Sequence, residues 1–223
     1  MTLSPRNLAR SIDHTILRNN ATEEDIRIAC SQALEYHFFG VVVNPVWVRR
    51  ASELLAGSEV RVISVAGFPL GANRTDIKVA EAAEAVEDGA HEIDMVADIG
   101  KLCADRFLEA EAEIRKVRRN LPPTVLLKVI IEASQLTADR QKDAVNAVIN
   151  AGAQFVKTGT GYSEPVTVKQ VRTLVTAAGG RIAVKASGGI RKLSECLEFL
   201  EAGATRLGTS GSVDIMRHCG SAG

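Results

Sequence analysis

Phe155-Val156-Lys157-Thr158-Gly159-Thr160-Gly161-Tyr162 is a short apolar run that carries one cation and then dissolves into small and hydroxylated residues. A buried strand ending at a loop reads this way, because a strand covered on both faces needs apolar side chains along it and turn residues where it stops. The pattern recurs on both sides. Ile182-Ala183-Val184-Lys185-Ala186-Ser187-Gly188-Gly189 repeats it downstream, and Val125-Leu126-Leu127-Lys128-Val129-Ile130-Ile131-Glu132 precedes it. A single such lysine is explained by a stem lying along apolar surface with its ammonium in water. Three at corresponding points of adjacent parallel strands, about 4.8 Å apart, crowd their ammonium groups and disfavour the protonated form of at least one. A neutral amine is a nucleophile toward carbonyls.

Outward from these strands the alternation continues. Ser11-Ile12-Asp13-His14-Thr15-Ile16-Leu17 reads as a first strand and its exit, or equally as the end of an N-terminal helix begun at Ser4-Pro5. Thr22 caps a helix with Glu23, Glu24 and Asp25 in its first turn, and the apolar run 38–43 stops at Asn44-Pro45. Helices at 46–56, 75–88, 106–119, 137–150, 166–178 and 192–202 alternate with strands at 60–66, 92–96, 125–131, 155–158, 182–186 and 205–208, and a short helix follows from about 213. Repeated βα units give parallel strands joined by right-handed crossovers. A doubly wound open sheet satisfies the alternation too. Eight units in 223 residues fit better a single α/β domain over 1–223, a (β/α)8 TIM barrel with a short N-terminal helix, since such barrels begin at about 200 residues. Asp-Gly-Ala at 88–90 and Ala-Gly-Ala at 151–153 and 202–204 mark helix ends turning into the next strand.

Composition narrows the function. The 27 basic and 27 acidic residues cancel, which offers nothing to nucleic acid or to an anionic membrane surface. No apolar run approaches the roughly 20 residues of a membrane helix, and Met1-Thr2-Leu3-Ser4-Pro5-Arg6 lacks the apolar core of a secretory signal; a cytoplasmic protein is the expectation. Cys30, Cys103, Cys196 and Cys219 form no Cys-x-x-Cys pair, and His14, His37, His91 and His218 show no metal-ligand spacing, so no metal is expected. Gly159-Thr160-Gly161 lacks the third glycine and the strand-turn-helix setting of a dinucleotide fingerprint, so no nicotinamide cofactor is expected either. Trp47 reads as a packing residue, and the basic run 115–119 as a solvated helix end.

In a barrel the site lies at the C-terminal ends of the strands. Those ends hold Asp13 and Thr15, Asn44, Gly67, Asp94, Lys128 and Glu132, Lys157, Lys185 and Ser187, then Thr209 and Ser210. Period-2 alternation puts Lys128, Ile130 and Glu132 on one face and Leu127, Val129 and Ile131 on the other, toward the helices, so the polar set points inward. Glu92 and Asp94 alternate with Ile93 and Met95 in the same way. The exits Gly159-Thr160-Gly161, Ser187-Gly188-Gly189 and Gly208-Thr209-Ser210-Gly211-Ser212 are glycine-rich. Barrel loops after strands seven and eight commonly hold phosphate on backbone N–H groups, which glycine lets approach closely.

These segments, with Val43-Asn44-Pro45, Ala66-Gly67-Phe68-Pro69-Leu70-Gly71, Glu92-Ile93-Asp94-Met95-Val96 and Arg206-Leu207-Gly208-Thr209-Ser210, resemble the deoxyribose-phosphate aldolases in order along nearly the whole chain. The resemblance implies a metal-free class I aldolase that reversibly cleaves 2-deoxy-D-ribose 5-phosphate to acetaldehyde and D-glyceraldehyde 3-phosphate, in deoxyribonucleotide catabolism, as a homodimer or homotetramer. It implies Lys157 as the Schiff-base lysine, Lys185 as its neighbour in lowering proton affinity and in proton transfer, and Asp94 as the acid that works with Lys185 and a water in carbinolamine dehydration and in proton transfer at the enamine carbon. Asp13, Thr15, Lys128, Thr158 and Gly159 match positions around the substrate, and Gly188, Gly189, Gly208 and Ser210 match the phosphate region. Departures are Val42, Asp98, Ala133, Gly159 and Gly211, where members often carry cysteine, asparagine, threonine, serine and serine, and a tail without the terminal tyrosine of some members. They bear on rate, aldehyde tolerance and phosphate affinity rather than on reaction class. A related lysine aldolase with another phosphorylated substrate, or a non-catalytic phosphosugar-binding barrel, are the competing readings.

Overall fold

A computed structural model of the chain describes residues 4–220. The ends on which the signal-sequence and terminal-tyrosine readings partly rest, 1–3 and 221–223, lie outside the described residues. Eight parallel strands close into a barrel in sequence order: β1 Ile12–Ile16, β2 Gly40–Val43, β3 Arg61–Ala66, β4 Glu92–Val96, β5 Leu126–Ile130, β6 Phe155–Lys157, β7 Ala183–Ser187 and β8 Arg206–Thr209. The expected (β/α)8 barrel is the observed fold. The helices are α1 Pro5–Ala9, α2 Glu23–Tyr36, α3 Val48–Leu54, α4 Thr75–Glu87, α5 Ile99–Cys103, α6 Phe107–Arg119, α7 Ala138–Asn150, α8 Val168–Ala178, α9 Leu193–Glu201 and α10 Ser212–Gly220. No helix among the described residues is long and apolar enough to cross a membrane.

The strand reading of the N-terminal stretch holds and the helix-end reading does not, since α1, capped by Ser4, ends at Ala9 and β1 begins at Ile12. The helix expected from residue 46 opens as a tight 3-10 turn, Pro45–Trp47, because proline fixes the first position. Two elements were not foreseen, α5 and a 3-10 turn at Ala133–Gln135. α5 exists because the Asp98 side chain accepts the Lys101 N–H at 3.1 Å, a cap that works on a helix too short to show periodicity. The x-Gly-Ala triplets end helices as expected, with Gly89, Gly152 and Gly203 at φ of 106°, 85° and 102°. The basic run 115–119 is more than solvated: Arg118 donates to the carbonyls of Val125, Leu121 and Pro122 at 2.6, 2.9 and 2.6 Å and holds the turn into β5.

The main core lies between barrel and helices, where the outward strand residues Val41, Val43, Ile93, Met95, Leu127, Val129, Val156 and Leu207 meet the helices, with Cys30 and Cys196 buried among them as small apolar residues. The barrel interior is divided. Val42, Ile63 and Val65 form a separate apolar patch on β2 and β3, packed by Leu17 and Phe68. The opposite side, from β4 round to β1, is charged: Glu92, Asp94, Lys128, Lys157, Lys185, Arg206 and Asp13 are all buried. This split interior is what positions the site.

Candidate active site

Strand register sets the charged side. Asp94 stands beside Lys128, Lys157 beside Lys185, and Lys185 beside Arg206. Asp94 is the hub. Its Oδ2 accepts Lys157 Nζ at 2.9 Å and Lys185 Nζ at 2.8 Å, and its Oδ1 accepts Lys128 Nζ at 2.8 Å. Below it, Lys128 also bridges to Glu92, Lys185 pairs with Asp13, and Arg206 donates to Asp13 Oδ1 at 2.9 Å and lies 3.4 Å from Glu92 Oε2. The guanidinium of Arg206 rests 3.2 Å from the Phe39 ring centre, which closes the barrel floor.

Burial and charge then decide each protonation state. Burial pushes Asp94 up, but the ammonium groups of Lys128, Lys157 and Lys185 outweigh it and hold the carboxyl well below the usual range. Burial likewise raises Asp13, and Lys185 and Arg206 bring it below its ordinary value. Lys128 is lowered by burial and carried above its ordinary value by Asp94 and Glu92. Lys157 goes the other way, to about 8: burial lowers it, Asp94 opposes, and Lys185 and Lys128 lower it further. Crowding of cations, the cause expected from the sequence, is therefore secondary to desolvation. The ledger is consistent, for four cations face three carboxylates and loss of one proton from Lys157 balances them.

A cavity of 530 Å³ opens at the C-terminal end of the barrel. Of the three strand lysines only Lys157 lines it; Lys128 and Lys185 lie beneath, fully buried. Thr15, the loop 160–162, Gly188, Gly189 and residues 208–210 form its wall. Thr158 and Gly159 are not among its lining residues. Thr158 Oγ1 donates to Ser187 O at 2.8 Å and accepts Ser187 N–H at 2.9 Å, which locks β6 to β7. A Cβ on Gly159 would sit 2.6 Å from Glu132 Oε1, and Glu132 in turn accepts Thr160 N–H at 3.2 Å and Thr160 Oγ1 at 2.6 Å. Asp13, Asp94 and Lys128 also stand behind the wall with Lys185, and Asp94 meets the cavity lysine Lys157 directly.

Several lining residues had no role in the sequence reading. Arg18 and Arg191 line the rim, Arg18 in an ion pair with Asp25, and Phe68 and Tyr162 meet edge to face across the mouth at 5.6 Å. His14 alternates to the outer face of β1, where Nε2 donates to Gln32 at 3.1 Å and Nδ1 accepts the Ser212 hydroxyl. Burial brings it down to about 4, so it is neutral at physiological pH and serves to tie β1 to the start of α10. The available signal for Glu92 and Arg206 was their place two residues before Asp94 and Gly208 on the same strand face.

A buried neutral-capable lysine at a cavity, fixed by a carboxylate and ringed by cations, has the chemistry to attack a carbonyl. The family model described as DeoC/LacD family aldolase matches residues 8–214. The chain belongs to that family. Among relatives of the DeoC/LacD aldolase chain, the deoxyribose-phosphate aldolase of Carboxydothermus hydrogenoformans is 46% identical over 219 residues, covering 96% of each chain. That of Deinococcus radiodurans is 46% identical over 210 residues, covering 94% of this chain and 95% of the relative. The solved structure described as a unique tetrameric deoxyribose phosphate aldolase from Aeropyrum pernix superposes with a TM-score of 0.89 at 33% identity, covering 99% of this chain and 94% of that one.

The Lys157 value predicts a pH dependence. Only the neutral amine attacks a carbonyl, so the initial rate of adduct formation with acetaldehyde is expected to rise about tenfold per pH unit below 8 and to level off above it. Stopped-time borohydride quenching between pH 6 and 9.5, read by intact mass, measures it. A flat profile, or one still climbing at 9.5 as an ordinary lysine would, contradicts the assignment.

Proposed function

We propose that this chain, as one barrel domain over 1–223, is a class I aldolase that cleaves 2-deoxy-D-ribose 5-phosphate reversibly to acetaldehyde and D-glyceraldehyde 3-phosphate through a Schiff base on Lys157. The observation that carries the reading is the position of Lys157. It is the cavity's lysine, is 2.9 Å from a carboxylate, and is brought to about 8.

The neutral Nζ attacks C1 of the open-chain sugar, and the resulting carbinolamine loses water to give a protonated imine. That cation replaces the proton Lys157 gave up and sits against Asp94 Oδ2, a buried carboxylate that stabilises it where solvent screens little. The Lys185 amine, left neutral once its proton has gone to the departing carbinolamine hydroxyl, takes the C3 hydroxyl proton through a water, and the C2–C3 bond breaks. Its electron pair flows into the iminium as an enamine, and glyceraldehyde 3-phosphate leaves. Protonation of the enamine carbon and hydrolysis then release acetaldehyde and return the lysine. Asp94 is held ionised, so in the resting site it accepts rather than donates, and the Lys185 ammonium that shares Oδ2 is the proton source. The phosphate belongs with the backbone of Gly188, Gly189, Gly208 and Ser210, with Arg191 supplying positive charge at the rim. We extend the reading to a homo-oligomer, in line with the tetrameric Aeropyrum pernix relative.

Incubation with 2-deoxyribose 5-phosphate is expected to release acetaldehyde and glyceraldehyde 3-phosphate in equal amounts, and acetaldehyde with borohydride to leave a two-carbon mass increment mapping to Lys157. Release of neither product, or an adduct confined to surface lysines, would sink the proposal.

A further inference from the structure

On α4 the residues Thr75, Lys78 and Glu81 recur at intervals of three and so lie along one face. Lys78 is fully buried although it is charged and lies outside the barrel interior. Its Nζ meets Glu113 Oε1 of α6 at 3.0 Å, in an ion pair whose side chains are 0% and 1% exposed. Water screens neither charge, and such a pair is a poor way to gain stability, because desolvation offsets most of the attraction. Its value lies in where its other contacts go.

Glu113 Oε2 accepts the backbone N–H of Asp98 at 2.9 Å, which ties the exit of β4 to α6. Glu81 Oε2 accepts the backbone N–H of Gly67 at 2.6 Å, which ties the exit of β3 to α4. The Lys78 stem runs directly under Gly67, where a Cβ would sit 2.9 Å from Lys78 Cε. The two exits also touch: a Cβ on Gly71 would lie 2.1 Å from Ala97 O. Between Gly67 and Gly71 stands Phe68, which lines the cavity and packs edge to face on Tyr162.

We infer that Lys78 and Glu113 are positioning residues that fix the exits of β3 and β4 against each other and thereby hold Phe68 as a wall of the cavity. Asp94 does not depend on them, since three lysines fix it inside the barrel. The effect therefore falls on substrate binding rather than on the chemical step. The kinetic half of the test rests on the aldolase reading, and the exchange half does not.

The test is the double variant Lys78→Met/Glu113→Leu. Removing both charges strands neither, so the fold is expected to survive with a thermal midpoint near the parent's. Amide exchange in segment 97–99 is expected to quicken about tenfold, the factor set by the lost hydrogen bond to the Asp98 N–H, and exchange in 67–74 to quicken by less as the exit packed against it loosens, with the strands unchanged. KM for 2-deoxyribose 5-phosphate is expected to rise about tenfold with kcat within about threefold. Acetaldehyde, too small to need the Phe68 wall, should still label Lys157 at the parental rate. Lys78→Met/Glu113→Gln keeps an amide oxygen for the Asp98 N–H and is expected to restore most of the KM; it also carries the exchange measurement should the first variant not fold. Unchanged exchange in both segments overturns the inference, as does a fall in kcat with KM unmoved. A parent that cleaves no phosphosugar refutes the aldolase reading instead, and exchange alone then decides.

Discussion

Lys157→Met is expected to abolish aldol cleavage, by on the order of 10^4-fold or more, while leaving the protein at least as stable as the parent. The first half follows from chemistry, since a thioether cannot form an imine and neither buried lysine beneath reaches the cavity wall. The second half follows from the charge set. The parent confines Lys128, Lys157, Lys185 and Arg206 with Asp13, Glu92 and Asp94, and below pH 8 it keeps one positive charge in excess. Methionine has a similar length and no charge, so the variant leaves three cations against three carboxylates and fills the same space. A thermal midpoint equal to or above the parent's, with no borohydride-stable adduct, is the expected pair of results. A variant that unfolds would show that Lys157 is needed to hold the barrel. One that keeps cleaving would move the Schiff base to another lysine.

Much of this site was legible because a short parallel strand leaves little ambiguity. In Glu92-Ile93-Asp94-Met95 and Leu127-Lys128-Val129, apolar residues on one face force the charged ones inward, and the structure brings those charges to one carboxylate. What could not be read was proximity across the lumen. Arg206 and Asp13 are 193 positions apart and meet only because the barrel closes β8 onto β1. The balance of causes at Lys157 was hidden as well, since desolvation depends on how completely neighbours cover the ammonium. Thr158 follows the lysine directly, yet alternation and the Ser187 contacts turn it away from the cavity, and Gly159, on the lysine's side by alternation, faces Glu132 instead.

Lys78 illustrates a different gap. On an alanine-rich helix with no charged run around it, a lone lysine reads as a solvated residue, and nothing local reports that the β3 exit will lie across its stem. Glu113 is equally ordinary within a charged helix. Both become informative only once burial is known, because a buried ion pair has to be explained by what it orients.

The second large effect concerns the hub. Asp94→Asn keeps the shape of the side chain but removes the negative charge that three ammonium groups share. Two of them, Lys128 and Lys185, retain Glu92 and Asp13, whereas Lys157 has no other carboxylate in its ion-pair contacts among the described residues. The variant is therefore expected to lose stability by about 3–5 kcal/mol, the range for a buried pair deprived of one partner. It relieves part of that cost by releasing the Lys157 proton, so the value of Lys157 is expected to move below about 8 rather than above it. The nucleophile is then more available while the chemistry after it is worse. The iminium loses its counter-charge and Lys185 loses the carboxylate through which it shares its proton. Cleavage is expected to fall by about 10^2–10^4-fold. The pH profile of acetaldehyde trapping on Lys157 should level off at lower pH than in the parent. Urea unfolding, steady-state cleavage and the trapping profile together check the assignment. A plateau displaced to higher pH would mean that Asp94 contributes to lowering the lysine, which reverses the sign derived from the 2.9 Å contact.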